Sequence, residues 1–350
     1  MVGALVWCTV IFLLLGFEAV DGFSHNVAAA LSRSICVVLD GRFQSEGEDI
    51  ASSLNIAAVS SDCPDELEDY DHRLRFVPLE VVPGTTNYAL GLESSIEENR
   101  DRQTRTRRHR QHRKTKPFYV DLLPSDKSRI GKRGSSEGGT DLLVKAVGPR
   151  KCATHGRSGA IIYDLTAGLG QDSLVLALNG AHKIVMVERD PIVAALLQDA
   201  LRRLEIVARS NQASNSRTRE QATALLRKLE LFQGDSVDIL AKWKDSGDAP
   251  PDVVYLDPMF PPRTKSAKVK KGMGLLHSLL ETQGSAEAFE SRRLEEEACL
   301  LQQAFDATRG RLVVKRPAKA PPLVGTDSTL RRSYALEGSV NRWDVYVKAT

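Results

Sequence analysis

The sequence predicts an α/β fold: a Rossmann-like, mostly parallel sheet with an antiparallel C-terminal edge hairpin, preceded by a small N-terminal α/β domain. Three observations predict it. From Ala160 onward, apolar runs of strand length alternate with stretches of helical periodicity, the pattern that builds a parallel sheet covered on both faces. The first of these strands empties into a Gly-rich turn, DLTAGLGQDS, that opens a helix. The last two segments, RRSYALEG and NRWDVYVK, read as two antiparallel strands at the sheet edge.

At 350 residues the chain is longer than most single compact domains. We expect four parts: a targeting segment at 1–33, a small α/β domain at 34–124 with a basic insertion at 97–116, a linker or substrate loop at 125–140, and the main domain at 141–350. Apolar residues at 42% and charged residues at 27% are those of a soluble globular protein with ample material for a core. The formal charge of +3 is uninformative until the charges are placed. Cys8, Cys36, Cys63, Cys152 and Cys299 are scattered, without a CxxC pair or a His at zinc-like spacing, so neither a metal site nor a disulfide framework is expected.

Within the leader, the apolar stretch from Ala4 centres on Val10 to Gly16 and ends at Glu18 and Asp21. Its length suits a signal-peptide core better than a membrane span. The following SHNVAAALSRS is poor in acids and rich in Ser and Ala, as in a transit peptide. A two-part address to a plastid follows, with no stable membrane association once the leader is removed; a cytoplasmic chain or an uncleaved anchor are the alternatives.

In the small domain SICVVLD reads as a buried strand, GEDIASSLNI as a helix, RLRFVPLEVV and TTNYALGLES as strands, and KPFYVDLL as the last strand. Between Arg100 and Lys116 stand nine Arg or Lys and one acid, a run that repels itself and cannot bury a core. It is either a solvated insertion or an arm that attracts nucleic-acid phosphates. In the main domain the strands are Ala160 to Leu165, Lys183 to Glu188, Glu230 to Gln233, Asp252 to Leu256 and Arg311 to Lys315, with helices between. Pro191 suits a first helical turn, and the polar stretch from Arg209 to Glu220 reads as a loop insertion or helix extension.

Four segments carry chemistry. In the first, Asp164 ends a strand, and Gly168 and Gly170 let backbone approach a ligand at the helix N-terminus. The turn lacks the third glycine of a dinucleotide fingerprint, because Asp172 and Ser173 follow. In the second, Glu188 ends the next strand, placed to accept hydrogen bonds from ribose hydroxyls. In the third, Asp235 and Ser236 follow a strand and could meet an adenine amino group, although both are also ordinary N-caps. In the fourth, the strand VVYL empties into Asp257, Pro258, Met259 and Phe260. A carboxylate and the carbonyl beside a proline can accept both hydrogens of an exocyclic amino group, while Phe260 stacks on the base. Beyond it Arg263, Lys265, Lys268, Lys270 and Lys271, and farther on Lys315 and Arg316, could hold phosphates.

These residues match a known pattern. DLTAGLGQDSLVLA, VERDPIVAALLQDAL, VVYLDPMFPPRTKSAKVKK, LVVKRPAKAPPL and NRWDVY together resemble the RsmJ family, bacterial methyltransferases of small-subunit ribosomal RNA that act on the N2 amino group of a guanine. The likeness runs from about Leu142 to Val347. It implies the class I methyltransferase version of the sheet, S-adenosylmethionine as cofactor, and small-subunit ribosomal RNA or the assembled subunit as partner. It also implies that Gln171, Asp172, Glu188, Arg189, Asp235, Ser236 and Asp257 line the cofactor pocket, although Gln171 stands where the family carries Arg. The leader and insertions absent from the bacterial pattern suggest a eukaryotic version for an organelle. Methylation of DNA or of a protein glutamine would use the same amino-nitrogen chemistry, and an RNA-binding assembly factor without turnover is the reading from another class.

Overall fold

The computed structural model describes residues 35–81, 87–94, 116–123, 141–154, 156–210, 216–247, 249–258, 286–325 and 330–348, with 286–294 as backbone only. The leader, almost all of the basic insertion and the whole 125–140 segment lie outside them. By packing, the chain forms two compact units, Met1–Asp71 and His72–Thr350.

In the first unit β1 (Ile35–Leu39) pairs in parallel with β2 (Ala57–Ser60), joined by α1 (Gln44–Leu54), and α2 (Pro64–Leu67) follows. Cys36, Val38, Val59 and Leu67 form its core. The four residues of β2 are too short a run to have been read as a strand.

The second unit opens with the antiparallel hairpin β3 (His72–Leu79) and β4 (Asn87–Ser94). KPFYVDLL, expected as a full strand, forms a single bridge between Phe118 and Leu92. Then come α3 (Leu142–Val147), β5 (Ile161–Asp164), α4 (Gln171–Leu178), β6 (Lys183–Glu188) and α5 (Pro191–Arg209). They are followed by α6 (Ser216–Lys228), β7 (Leu229–Gln233), α7 (Ser236–Ser246), β8 (Val253–Leu256), α8 (Ala286–Ala307), β9 (Arg311–Pro317), β10 (Tyr334–Glu337) and β11 (Asn341–Val347). Much of the polar stretch after Arg209 thus belongs to a helix, which buries only Ala222 and Leu225.

The sheet order is β10-β11-β9-β8-β5-β6-β7, parallel except for β11, which runs antiparallel to both neighbours. The expected C-terminal hairpin is present, with the last strand inserted inside the sheet and β10 at its edge. Buried side chains at alternate positions, Leu312 and Val314 on β9 and Val254 and Leu256 on β8, pack against Leu240 of α7 and Leu301 of α8. Asp190 caps α5 through Ile192 N and Val193 N, with Pro191 at the first helical position.

The hairpin is tied to α5 by a buried ion cluster. Asp199 Oδ2 accepts from Leu90 N and from Arg203 Nε, each at 2.9 Å, and its Oδ1 accepts from Arg202 Nη2 at 2.8 Å. Arg202 also donates to Tyr88 O and lies over the Tyr88 ring, while Arg203 donates to Val120 O. This packing fastens β4 and the Lys116–Leu123 segment to α5.

Candidate active site

Parallel strands present their carboxyl ends on one edge, and a crevice opens where successive connections leave in opposite directions. Here β5 is followed by β6 and β7 on one side and by β8 and β9 on the other, so that point lies between β5 and β8. The strand ends meeting there carry Asp164, Glu188, Asp257 and Lys315.

Asp164 is buried at the end of β5, where its Oδ2 accepts from Ser173 Oγ and its Oδ1 from Thr166 N at 3.3 Å. Burial pushes this carboxyl up to about 7, against the Ser173 hydroxyl, which pulls it down, and with Asp172, which adds to the rise. The turn that follows needs its glycines for different reasons. A β-carbon on Gly170 (φ +67°) would lie 2.8 Å from Leu197 Cδ1; on Gly168 (φ +53°) it would meet nothing within 4 Å, so backbone there borders open space.

Glu188 reaches back to this turn. Its Oε2 accepts from Gly168 N at 2.7 Å and its Oε1 from Asp190 N at 2.8 Å. Each carboxylate oxygen has a second lone pair, so both can also accept from a ligand hydroxyl. Burial pushes its pKa up, and the Asp190 amide opposes the rise. Arg189 stands at the surface, 3.5 Å from Glu296. Gln171 is exposed on the first turn of α4.

Asp235 caps α7 through Val237 N at 2.8 Å, and the buried Ser236 Oγ donates to Leu165 O. The N-cap reading is therefore realised for Asp235. The Ser236 hydroxyl is turned to the β5 turn, so this residue braces the crevice rather than presenting its donor to a ligand.

At the end of β8, Asp257 N donates to Thr166 Oγ1 at 2.6 Å, which ties the two strand ends across the crevice. Lys315 Nζ then bridges two carboxylates, Asp257 Oδ2 at 2.6 Å and Asp172 Oδ2 at 2.8 Å, and Asp172 Oδ2 also accepts from Tyr255 Oη at 2.8 Å. Burial pushes the Asp257 carboxyl up to about 6; the Lys315 ammonium pulls it down and Asp172 pushes it farther up. Lys315 itself is driven above the usual lysine range, because its two carboxylate partners outweigh the cost of burial. Tyr255 is held far above its ordinary value by burial and by Asp172.

The two cations expected beside each other as phosphate contacts are thus separated by strand alternation. Lys315 faces Asp257 and Asp172. Arg316 faces the opposite side, where it is buried, donates to Pro321 O at 3.0 Å and lies 3.7 Å from Glu297 of α8. It does not enter the crevice. The Lys315 cluster was not anticipated, although the strand ladder holds its signal: Leu256 pairs with Val314, so one step on places Asp257 beside Lys315. Pro258 is buried beside Asp257. Met259, Phe260, Arg263, Lys265, Lys268, Lys270 and Lys271 lie outside the described residues. Among the described residues no three His, Cys, Asp or Glu side chains gather as metal ligands.

A family described as "Putative SAM-dependent methyltransferase" matches residues 94–348. The protein named "Ribosomal RNA small subunit methyltransferase J" from Shewanella piezotolerans is 37% identical over 236 residues, 67% of this chain and 74% of that protein. Its namesake from Pseudomonas aeruginosa is 37% identical over 232 residues, 66% of this chain and 74% of that one. The chain belongs to the small subunit methyltransferase J family. Its motifs resembled this family, and membership makes it an S-adenosylmethionine-dependent methyltransferase. A SAM-dependent methyltransferase of Neisseria gonorrhoeae shares the fold, with a TM-score of 0.53 at 23% identity over 89% of this chain and 95% of that one.

The residues present fit the cofactor of the family. The open space at Gly168 admits a ligand against the backbone, and Glu188 retains acceptor capacity beside it for a ribose. Asp257 stands one strand away, at the end of β8.

Proposed function

We propose that this methyltransferase modifies the exocyclic N2 amino group of a guanine in small-subunit ribosomal RNA, as naked RNA or assembled subunit, in an organellar ribosome of bacterial type. The observation that carries the chemistry is the position of Asp257: a carboxylate at the end of β8, fixed by Thr166 and Lys315 beside the Gly-rich turn. An aromatic amino group has its lone pair delocalised into the ring. The Asp257 carboxylate and the carbonyl of Pro258 can accept its two hydrogens and turn the lone pair toward an incoming methyl group. S-adenosylmethionine, when bound, supplies that methyl on a sulfonium that leaves as a neutral thioether. Alignment therefore matters more than a strong general base. Asp164 and Ser173 keep the turn in place, and Glu188 holds the ribose end.

The choice of ribosomal RNA is supported by the names of the relatives, and that of guanine N2 by the motif resemblance. Stacking by Phe260 on an unpaired or flipped base, and phosphate contacts from Arg263, Lys265, Lys268, Lys270 and Lys271, complete the reading. The organellar address is supported by the composition of residues 1–33.

Incubation of the protein with methyl-labelled cofactor and, separately, small ribosomal subunits, small-subunit RNA, duplex DNA or a protein mixture tests the substrate. Label in guanine N2 of the RNA is expected; label confined to DNA or protein refutes the proposal. Absence of cofactor binding favours a non-catalytic assembly factor. Fusion of the first 40 residues to a fluorescent protein tests the address, which a purely cytosolic signal refutes.

A further inference from the structure

The crevice holds a feature that amino-group alignment alone does not require. Beside Asp257 at this end of the sheet stand two further aspartates, Asp172 from α4 and Asp164 from β5. Carboxylates placed so close in a partly desolvated site oppose one another's ionisation. Lys315 Nζ stands between two of them, 2.6 Å from Asp257 Oδ2 and 2.8 Å from Asp172 Oδ2. Its side chain is 19% exposed and that of Asp257 33%, so solvent screens the pair only in part. Asp172 is itself fixed, because the buried Tyr255 hydroxyl donates to the same Oδ2. The lysine is thereby held from below by a residue two positions ahead of Asp257 on β8, on the same face.

We infer that Lys315 is a positioning residue of the methyl-transfer reaction, which anchors on Asp172 and Tyr255 to hold the Asp257 carboxylate ionised and aimed into the crevice. The inference rests on the reading of Asp257 as the acceptor for the substrate amino group. An aspartic acid there could turn its own proton toward the amino group and would be a weaker acceptor than the carboxylate. A lysine suits the task because it is a compact point charge that leaves the second oxygen of Asp257 for the substrate, where a guanidinium fork would engage both oxygens. The groups bearing on Asp257 are Lys315 and Asp172, with Tyr255 donating to Asp172 and Asp164 acting from β5.

The test uses the full chain and three variants, Lys315→Met, Lys315→Arg and Asp172→Asn, with two measurements. One is the titration of the Asp257 carboxyl carbon by NMR, which needs no substrate. The other is the pH profile of single-turnover methyl transfer, with KM for small-subunit RNA. Loss of a cation in contact raises the midpoint of a carboxylate by about 1 to 3 pH units, and loss of a neighbouring anion lowers it. Lys315→Met is expected to move the midpoint up and Asp172→Asn to move it down, with the acid limb of the profile following each. From about 6, a rise of about two pH units leaves roughly a tenth of Asp257 ionised at pH 7, so kcat falls about tenfold while KM for RNA holds. Lys315→Arg should restore the midpoint more fully than the rate. A lysine that merely packs the crevice would give no opposite signs. If Lys315→Met does not fold, Lys315→Gln takes its place, with the same upward shift expected. An unmoved midpoint in the variants that fold, or a raised KM for RNA with an unmoved profile, overturns the inference and returns Lys315 to phosphate binding. Wild-type turnover by Asp257→Asn, with the midpoints of the other variants moving as expected, would instead refute the role of Asp257 as acceptor.

Discussion

Substitution of Asp199 by Ala removes the acceptor for three donors at once: Leu90 N, Arg203 and Arg202. Asp199 and Arg203 have side chains 6% and 3% exposed, so Arg203 would keep its bond to Val120 O and its place over the Tyr119 ring but be left a buried charge without its counter-ion. Breaking a buried pair from one side costs about 3 to 5 kcal/mol, taken here for the charge alone. At about 2 to 4 °C per kcal/mol for a unit of this size, Tm should fall by roughly 6 to 20 °C. The damage should reach the cofactor turn, because Leu122 stands beside Gly170 and Val120 is held by Arg203. Calorimetry of the full chain gives Tm, and hydrogen exchange at the Leu90 amide reports whether the hairpin has come loose. Asp199→Asn, which keeps one acceptor, should be milder. A Tm unchanged by Asp199→Ala, with the Leu90 amide still protected, would refute the view that this cluster fastens the hairpin to α5.

Three further outcomes are expected. Glu188→Ala should weaken S-adenosylmethionine binding by about 1.5 to 3 kcal/mol, the worth of hydrogen bonds to a charged acceptor; calorimetric titration measures it. Gly170→Ala should be more damaging than Gly168→Ala, because both strain a left-handed backbone but only the first drives a methyl into Leu197; denaturation midpoints rank them. The rate of methyl transfer should fall as pH drops through about 6, because Asp257 accepts only as a carboxylate, and level off above that pH; rapid-quench single turnovers resolve the limb.

Much of this architecture was legible in the sequence, since its signals are local. Strands β5, β6 and β8 are continuous apolar runs, as buried parallel strands must be, and the Gly-rich turn and the Asp-Pro step mark where two of them end. The harder features depend on what lies across from a residue. Helix α6 has too few apolar positions to announce itself. The Phe118 segment reads as a strand, yet it makes one bridge, and Pro117 next to it has no N–H with which to extend the ladder. Ser236 was placed at the correct strand end, but the direction of its hydroxyl is set by Leu165, 71 positions away. Lys315 and Arg316 differ in role because one face of β9 meets α4 and the other α8, a distinction visible only once the order of the strands is known.

That alternation makes β9 an indexing device. The strand is clasped on both sides, Leu256 against Val314 and Trp343 against Lys315, so its register cannot drift without breaking two ladders. Loss of the residue between Leu312 and Val314 would deliver Arg316 to the two carboxylates and put Lys315 in the place of Val314, in the apolar core with Leu256 and Leu301. Charge would be conserved and the fork of the guanidinium would replace a point contact. Around β9, length changes that keep this register therefore fall in the connection beyond Pro317, where the chain leaves the sheet before returning as β10.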